Sequence, residues 1–210
     1  ILHAHLPYVR SAKAGSLEED WFFQALLECY LPLIEVLESS KESKDQSPYL
    51  TLSLSPTLLS LLEDKELRNR FPQWIKVRVD ILKESKTEEE NAATFLKENL
   101  LKQLKNWEKF KGNLINRFSA LQDSGNLDIL TCAATHGYLP LLRENPETVI
   151  GQFKTAIREH TRLLGEKPLG IWLPECAYYE GLDLLMIQSG LRYAVLDGHG
   201  LLNATPRPRY

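Results

Sequence analysis

Short apolar runs recur along this 210-residue chain, and the segments between them carry a helical repeat. The runs are rich in leucine and isoleucine and are too short for helices, which is the pattern of buried strands. They lie at 1–5, 50–54, 127–133, 170–173 and 193–196. Because strands that alternate with helices form parallel sheets or barrels, the pattern predicts an α/β fold.

Capping residues mark where the helices between these runs begin and end. Ser55, followed by a proline at the first helical position, predicts a helix over 55–71. Another helix is predicted to begin after Asn145, again with a proline at its first position, and to end at Gly165. Gly190 is predicted to end the helix that precedes the last run. The chain therefore reads as repeated strand–helix units.

A long helical insertion, about 72–122, is predicted between the second and third runs. One face of it carries apolar residues at i, i+3 and i+4 spacing, and this face is expected to pack. These residues are Ala93, Leu96, Leu100, Leu104 and Trp107. The polar stretch 39–48 is interpreted as a helix-to-strand connection rather than a domain linker.

Composition narrows the possible functions. The chain is 43% apolar and 25% charged, which suits one globular domain. Its net charge of −3 makes nucleic acid a poor partner, and the absence of an apolar stretch of membrane-spanning length predicts no membrane segment. Three cysteines without metal-site spacing predict neither disulfides nor structural zinc, which fits a cytoplasmic location. Because the chain begins at Ile1 and stops at Tyr210, we expect a segment of a longer protein.

Histidines fall at the ends of the predicted strands. His3 and His5 close the first, His136 follows the third and His199 follows the fifth. In parallel α/β folds the loops at the carboxyl ends of the strands converge and build the site, so these residues are expected to lie in one polar pocket. His160, in the middle of a predicted helix, is expected at the surface or its boundary.

A carboxylate with aromatic neighbours follows the fourth strand. Glu175 lies between Trp172 and Tyr178. Aromatic rings stack on sugars, and a carboxylate beside the anomeric carbon can attack it, which is the chemistry of glycosidases. The pattern leaves two other possibilities open, in which Glu175 caps the next helix and the aromatic residues only pack the core.

Three motifs in order resemble glycoside hydrolase family 57, in the branch of 1,4-α-glucan branching enzymes and related α-amylases. They are "HAHLPYV", "ILTCAATHGYLPLL" and "WLPECAY", and the similarity covers essentially all 210 residues. The resemblance implies a distorted, TIM-like (β/α)7 barrel, of which 1–210 is the N-terminal part with its helical insertion. It further implies a retaining enzyme that acts on α-1,4-glucans such as amylose, glycogen or starch and needs no metal or organic cofactor.

The resemblance also implies roles for particular residues. Glu175 matches the nucleophile, and Trp172 belongs to the sugar-binding wall. His5 and His136 match histidines that bind the sugar at the point of cleavage, with His3 beside them. A branching enzyme, which transfers the cleaved chain to a 6-hydroxyl, is the favoured activity; a family 57 α-amylase or 4-α-glucanotransferase is the alternative.

Other positions are less clearly assigned. Trp21 resembles an aromatic residue that lines the substrate groove, and His199 is a further candidate for binding sugar. The family's acid/base aspartate belongs to a fourth motif that nothing in this sequence matches, nor is the helical domain beyond it present, so the 210 residues alone are expected to be inactive. Asp197 is the only substitute at a strand end, but its setting does not match the acid/base. Cys176 is assigned no chemistry.

Two hypotheses from other functional classes remain open. His3 and His5, after the first strand of a barrel, could also begin the site of a metal-dependent hydrolase, which would hold zinc or manganese and lose activity with a chelator. Alternatively, the missing second carboxylate fits a glucan-binding module without turnover.

Overall fold

The computed structural model describes residues 1–10, 13–39, 50–84 and 90–206. They form two compact units. The first comprises the described residues of Ile1–Tyr8, Tyr49–Leu59 and Leu127–Tyr210, and the second those of Val9–Pro48 and Ser60–Asn126.

The first unit is built on a parallel sheet. Its strands follow chain order, and each pairs with the next one along the sequence. The strands are β1 (Leu2–Ala4), β2 (Leu50–Leu54), β3 (Leu127–Cys132), β4 (Gly170–Trp172) and β5 (Tyr193–Val195). The prediction of an α/β fold with strands in these runs is confirmed. Because all strands are parallel, the polar residues that follow them lie at the same end of the sheet, where the carboxyl ends of the strands meet.

Helices connect the later strands of this unit and cover its core. They are α7 (Leu139–Leu142), α8 (Pro146–Leu164), α9 (Leu182–Ser189) and α10 (Gly198–Leu202), with a 3-10 turn at Pro174–Cys176. The buried cluster between them and the sheet consists of Ala133, Leu139, Val149, Phe153, Ile171, Leu173, Leu182, Met186 and Leu191. This core fixes the ends of β3 and β4.

The predicted caps of these helices are confirmed. The side chain of Asn145 accepts a hydrogen bond from the backbone N–H of Thr148, and Gly165 ends α8 with a φ of 87°. Gly190 ends α9 with a φ of 93°. Glycine adopts such positive φ values without the steric penalty that other residues incur. Side-chain capping and glycine termination were therefore readable from local sequence.

The second unit is helical. It contains α1 (Leu17–Ala25), a π-helical turn (Leu26–Tyr30), α2 (Leu31–Ser39), α4 (Lys65–Glu84), α5 (Glu90–Lys109) and α6 (Leu114–Asp123), while α3 (Pro56–Glu63) begins in the first unit and ends in the second. Glu19, although buried, is paired with Arg70 at 2.5 Å. Phe71 packs against Trp107 with ring centroids 4.7 Å apart.

The helix predicted over 55–71 is two helices. Ser55 begins α3 as expected, because its hydroxyl accepts from the N–H of Leu58 at 3.3 Å. The break comes at Asp64, whose carboxylate accepts from the backbone N–H groups of Glu66 and Leu67 at 2.9 Å. Aspartate at an N-cap satisfies the free donors of a new helix, so α4 begins afresh.

Two further predictions need correction, and one falls outside the described residues. Leu100 and Trp107 are buried, but Leu96 is 50% exposed, so the apolar face of α5 packs only over its later turns. His160 is not at the surface; it is 1% exposed, because it lies on the buried face of α8. Of the stretch 39–48, which was predicted to be a helix-to-strand connection, residues 40–48 lie outside the described residues.

Candidate active site

Two histidines, one in β1 and one just after it, are held by one serine in β2 and one just after it. His3 pairs in register with Ser53, and its Nδ1 lies 3.1 Å from the Ser53 hydroxyl. His5 Nδ1 lies 2.9 Å from the hydroxyl of Ser55, and Thr57 adds a contact at 3.3 Å. Both serines are fully buried. The sheet register therefore sets the orientation of both imidazoles.

His136 enters from the loop after β3 and completes a stack of rings. It has a φ of 54°, which is unusual for a residue other than glycine. Its ring centroid lies 3.8 Å from that of His5 and 5.2 Å from that of His3, with interplanar angles of 15° and 20°. His3 in turn stacks on Trp172 at 4.8 Å and 7°. The rings form one wall across three strand ends.

Glu175 lies on a strained turn beside this wall. Glu175 and Cys176 both have a φ of 54°, and a non-glycine residue in such a conformation costs about 1–3 kcal/mol. The N–H of Cys176 donates to the carbonyl of Leu173 at 2.8 Å and holds the turn. The Glu175 side chain is 74% exposed, and its Oε1 lies 3.5 Å from Nε2 of His136.

The turn also excludes one of the open alternatives for Glu175. The next helix, α9, has Gly181 at its N-cap and no side-chain cap, so Glu175 does not cap it. The carboxylate instead faces solvent next to an imidazole. Strained backbone of this kind clusters at functional sites, because the surrounding contacts must hold it.

Burial keeps the imidazoles of the wall neutral. Desolvation, and next the neighbouring His136, lowers the pKa of His3 and of His5 to about 4. Desolvation also lowers the pKa of His136, although the Glu175 carboxylate opposes that shift. A neutral imidazole has one donor and one acceptor nitrogen. At neutral pH the wall can therefore offer hydrogen bonds of both kinds to uncharged hydroxyl groups.

Comparison with protein families decides where the chain belongs. The model of glycosyl hydrolase family 57 matches residues 1–209. The chain belongs to this family. The α/β fold and the parallel sheet are consistent with the N-terminal part of the TIM-like barrel of family 57 enzymes.

Relatives within family 57 have several activities. The chain is 30% identical to the 1,4-alpha-glucan branching enzyme TK1436 of Thermococcus kodakarensis, over 94% of this chain and 32% of that protein. Among solved structures, the alpha-amylase AmyC of Thermotoga maritima matches with a TM-score of 0.91 and 34% identity, over 100% of this chain and 41% of that one. A branching enzyme of Pyrococcus horikoshii matches at 0.88 and 31%, over 99% and 42%. The chain thus spans about a third to two fifths of these relatives.

Not every residue predicted for the family 57 site belongs to the wall. Trp21 is 53% exposed on α1, in the second unit. His199 lies on α10 with its Nδ1 2.7 Å from Asp197, and it is not part of the ring stack. The hydroxyl of Tyr178 donates to Asp183 at 3.0 Å. His3, His5, His136, Trp172 and Glu175 are the predicted residues that the structure brings together.

Sequence reasoning missed the residues that support the wall. Ser53 and Cys132 were given no role and Ser55 was predicted only as a helix cap, yet all three contact the imidazoles. Cys132 Sγ lies 3.1 Å from Nδ1 of His136. Burial raises the pKa of the Cys132 thiol to about 12. One signal was present, since two serines at alternate positions end the apolar run of β2.

Among the described residues, one group of side chains, at the wall and the strand that supports it, could hold a metal. His3, Cys132 and His136 each offer a ligand atom, and all three atoms lie within 4.8 Å of one another. The metal ligands predicted for the alternative hydrolase were His3 and His5, whereas the structure groups His3 with His136 and a cysteine.

Among the described helices, none combines the length and the hydrophobicity that a membrane span requires.

Proposed function

We propose that this chain is part of a retaining enzyme of family 57 that acts on α-1,4-glucans, with Glu175 as nucleophile and a branching reaction as the favoured outcome. The observation that carries the proposal is the position of Glu175, exposed on a strained turn and 3.5 Å from His136. The named activities of the relatives, a glucan branching enzyme and an amylase, support an α-glucan as the substrate.

In this proposal each residue of the wall has a distinct role. The Glu175 carboxylate attacks the anomeric carbon and forms a glycosyl-enzyme, which a water or a sugar hydroxyl then resolves. His136 and His5 exchange hydrogen bonds with sugar hydroxyls, and Trp172, with His3 stacked on it, offers an apolar face to the ring. Neutral imidazoles suit this role because they add no positive charge beside an oxocarbenium-like transition state.

A retaining mechanism also needs a proton donor about 5–5.5 Å from the nucleophile. We assign that role to none of the carboxylates of the described residues, including Asp197, which pairs with His199. We therefore propose that residues 1–210 form the N-terminal part of a catalytic barrel that carries the nucleophile. Trp21 and His199 remain predictions for the substrate groove, and a cytoplasmic location remains a prediction from composition.

The nucleophile is tested in the full-length protein with Glu175→Gln and Glu175→Gly. Both should lower turnover of amylose by several orders of magnitude while glucan binding persists. Glycine adopts the φ of this position without strain, so the second variant should fold normally. Its smaller side chain also leaves room for azide, which should attack the anomeric carbon in place of the carboxylate while the C–O bond to the rest of the chain breaks. Turnover should then be restored, and the product should be a glucan chain that ends in a glycosyl azide. Glu180→Gln, which alters an exposed carboxylate five residues away, is the control.

Near-normal activity of Glu175→Gln would refute the assignment of the nucleophile. Branching is separated from hydrolysis by incubating the full-length protein with amylose and counting new α-1,6 links against new reducing ends. We expect branches to dominate. Many reducing ends without branches would establish the α-amylase alternative, which the 34% identity with AmyC supports.

A further inference from the structure

The ends of β1 and β3 bring two imidazoles and a thiol together. The ligand atoms of His3, Cys132 and His136 lie within 4.8 Å of one another. Imidazole nitrogen and thiolate sulfur are the donors that zinc prefers. We propose that His3, Cys132 and His136 bind a thiophilic divalent cation such as Zn²⁺, and that the bound ion inhibits the chemistry of the same pocket.

One nitrogen of His3 lacks a hydrogen-bond partner, which is a second indication that a ligand binds here. Nδ1 of His3 lies 3.1 Å from the Ser53 hydroxyl, which itself donates to the carbonyl of Thr131 at 3.4 Å. Because the hydroxyl proton is used there, Nδ1 of His3 is the donor and Nε2 carries the lone pair. Nε2 is buried and has no hydrogen-bond partner among the described residues. A buried acceptor without a hydrogen bond is destabilising, and a bound cation would satisfy it.

His136 is oriented in a matching way. Its Nδ1 lies 3.1 Å from Sγ of Cys132, and its Nε2 lies 3.5 Å from the Glu175 carboxylate. Histidines that bind metals usually donate their second N–H to an outer acceptor, often a carboxylate, which fixes the ring. Glu175 has this outer position for His136, as Ser53 has for His3. Nε2 of His3 is therefore free to bind a metal, and Nδ1 of His136 becomes free once the Cys132 thiol has lost its proton.

The spacing suits an ion of the size of zinc. A tetrahedral zinc ion with bonds of about 2.1 Å to nitrogen and about 2.3 Å to sulfur holds these ligand atoms about 3.6 Å apart. Atoms that lie within 4.8 Å of one another therefore have to approach by about 1 Å at most. Shifts of that size bring all three side chains into range. Binding deprotonates the Cys132 thiol and releases its proton to solvent. Three protein ligands leave the fourth tetrahedral position open to water.

Inhibition follows from charge and occupancy. This part of the proposal rests on the proposed function, whereas metal binding does not. A dication bound through His136 would lie one imidazole away from Glu175 and would oppose the positive charge that develops at the anomeric carbon. It would also occupy rings that are proposed to contact the sugar. A chelator should therefore restore activity, which is the opposite of its effect on a metal-dependent hydrolase.

Metal binding is tested by titrating the full-length protein with Co²⁺, whose spectrum reports its ligands. We expect tetrahedral d–d bands and a thiolate-to-cobalt charge-transfer band that Zn²⁺ displaces. Cys132→Ser should lose the charge-transfer band, and Cys29→Ser, which alters an exposed cysteine, should keep it. The absence of the band in the wild-type protein, or its persistence in Cys132→Ser, would overturn the proposal.

Two further variants keep the test decisive. If Cys132→Ser does not fold, His3→Gln is tested in its place. It should weaken Co²⁺ binding by at least about 10-fold, because the loss of even a residue that contacts only a metal ligand weakens binding by that factor. Unchanged affinity would overturn the site. Glu175→Gln should keep the charge-transfer band while losing turnover, so failure of the metal site and failure of the proposed nucleophile are seen separately. Wild-type activity that is unchanged or raised by saturating Zn²⁺ would overturn the inhibitory role.

Discussion

A buried histidine in α8 should make the stability of this protein depend on pH. His160 is 1% exposed, and its Nδ1 has no hydrogen-bond partner among the described residues. Burial lowers its pKa to about 4, because a charged imidazole would lose its hydration there. Acid should therefore favour the unfolded chain, in which the ring is free to take up a proton.

The sign and size of the effect follow from proton linkage. In the unfolded chain histidine has its ordinary pKa of about 6.5. Between that value and the folded-state pKa of about 4, the unfolded chain binds a proton that the folded protein does not. The free energy of unfolding is therefore highest above pH 6.5 and falls as the pH drops toward 4. At pH 4.5 the loss from His160 is about 2–3 kcal/mol.

The assay is urea unfolding of the full-length protein at pH 7.5 and 4.5, compared with His160→Leu and His160→Gln. Neither replacement ionises, so each variant should lose about 2–3 kcal/mol less than the wild type between the two pH values. Their stabilities at pH 7.5 will differ because one side chain is apolar and the other polar, which separates packing from ionisation. The histidines of the ring wall contribute equally to all three proteins. A pH dependence that is the same in all three would refute the reasoning.

Two other substitutions test the geometry that positions the site. Ser55→Ala removes both the cap of α3 and the partner of His5, so it should lower the free energy of unfolding by about 1 kcal/mol in urea and should lower kcat as well. Thr51→Ala, in the preceding strand β2, should leave kcat unchanged. Gly170→Ala places a Cβ 2.1 Å from the ring of Tyr193, so it should lower the free energy of unfolding by about 1–3 kcal/mol. Adding Tyr193→Ala should recover part of that loss, and strictly additive effects of the two substitutions would contradict the contact.

The strands and most helix ends of this fold were predictable because their signals are local. An apolar run bounded by polar residues, an asparagine that caps α8 and a glycine that closes α9 act within a few residues of the chain. The sequence also predicted that the site residues converge, because parallel strands bring their carboxyl ends to the same end of the sheet. These residues are His3, His5, His136 and Glu175.

The misplaced features depend on contacts that are distant in sequence or on local competition. His160 looked solvated because it is polar and mid-helix, yet α8 turns that side chain into the protein interior. Asp64 could have been recognised as a cap, but the repeat of leucines before it and the absence of a proline or glycine after it up to Phe71 favoured one continuous helix. The contacts of Ser53 with His3 and of Cys132 with His136 combine strand register with an unusual loop conformation, which a strand pattern does not specify.

The shape of the ring wall is maintained by residues that do not themselves face the carboxylate. His136, Glu175 and Cys176 all have a φ of 54°, and each such residue costs about 1–3 kcal/mol unless its neighbours hold it. These conformations are held by backbone hydrogen bonds within the two loops and by the hydrogen bond between the Cys132 thiol and the His136 imidazole. A change in those contacts would let the loops relax and would move Glu175 away from its imidazole. Substitution of a residue that makes these contacts, such as Cys132, should therefore lower activity even where the residue does not touch the sugar.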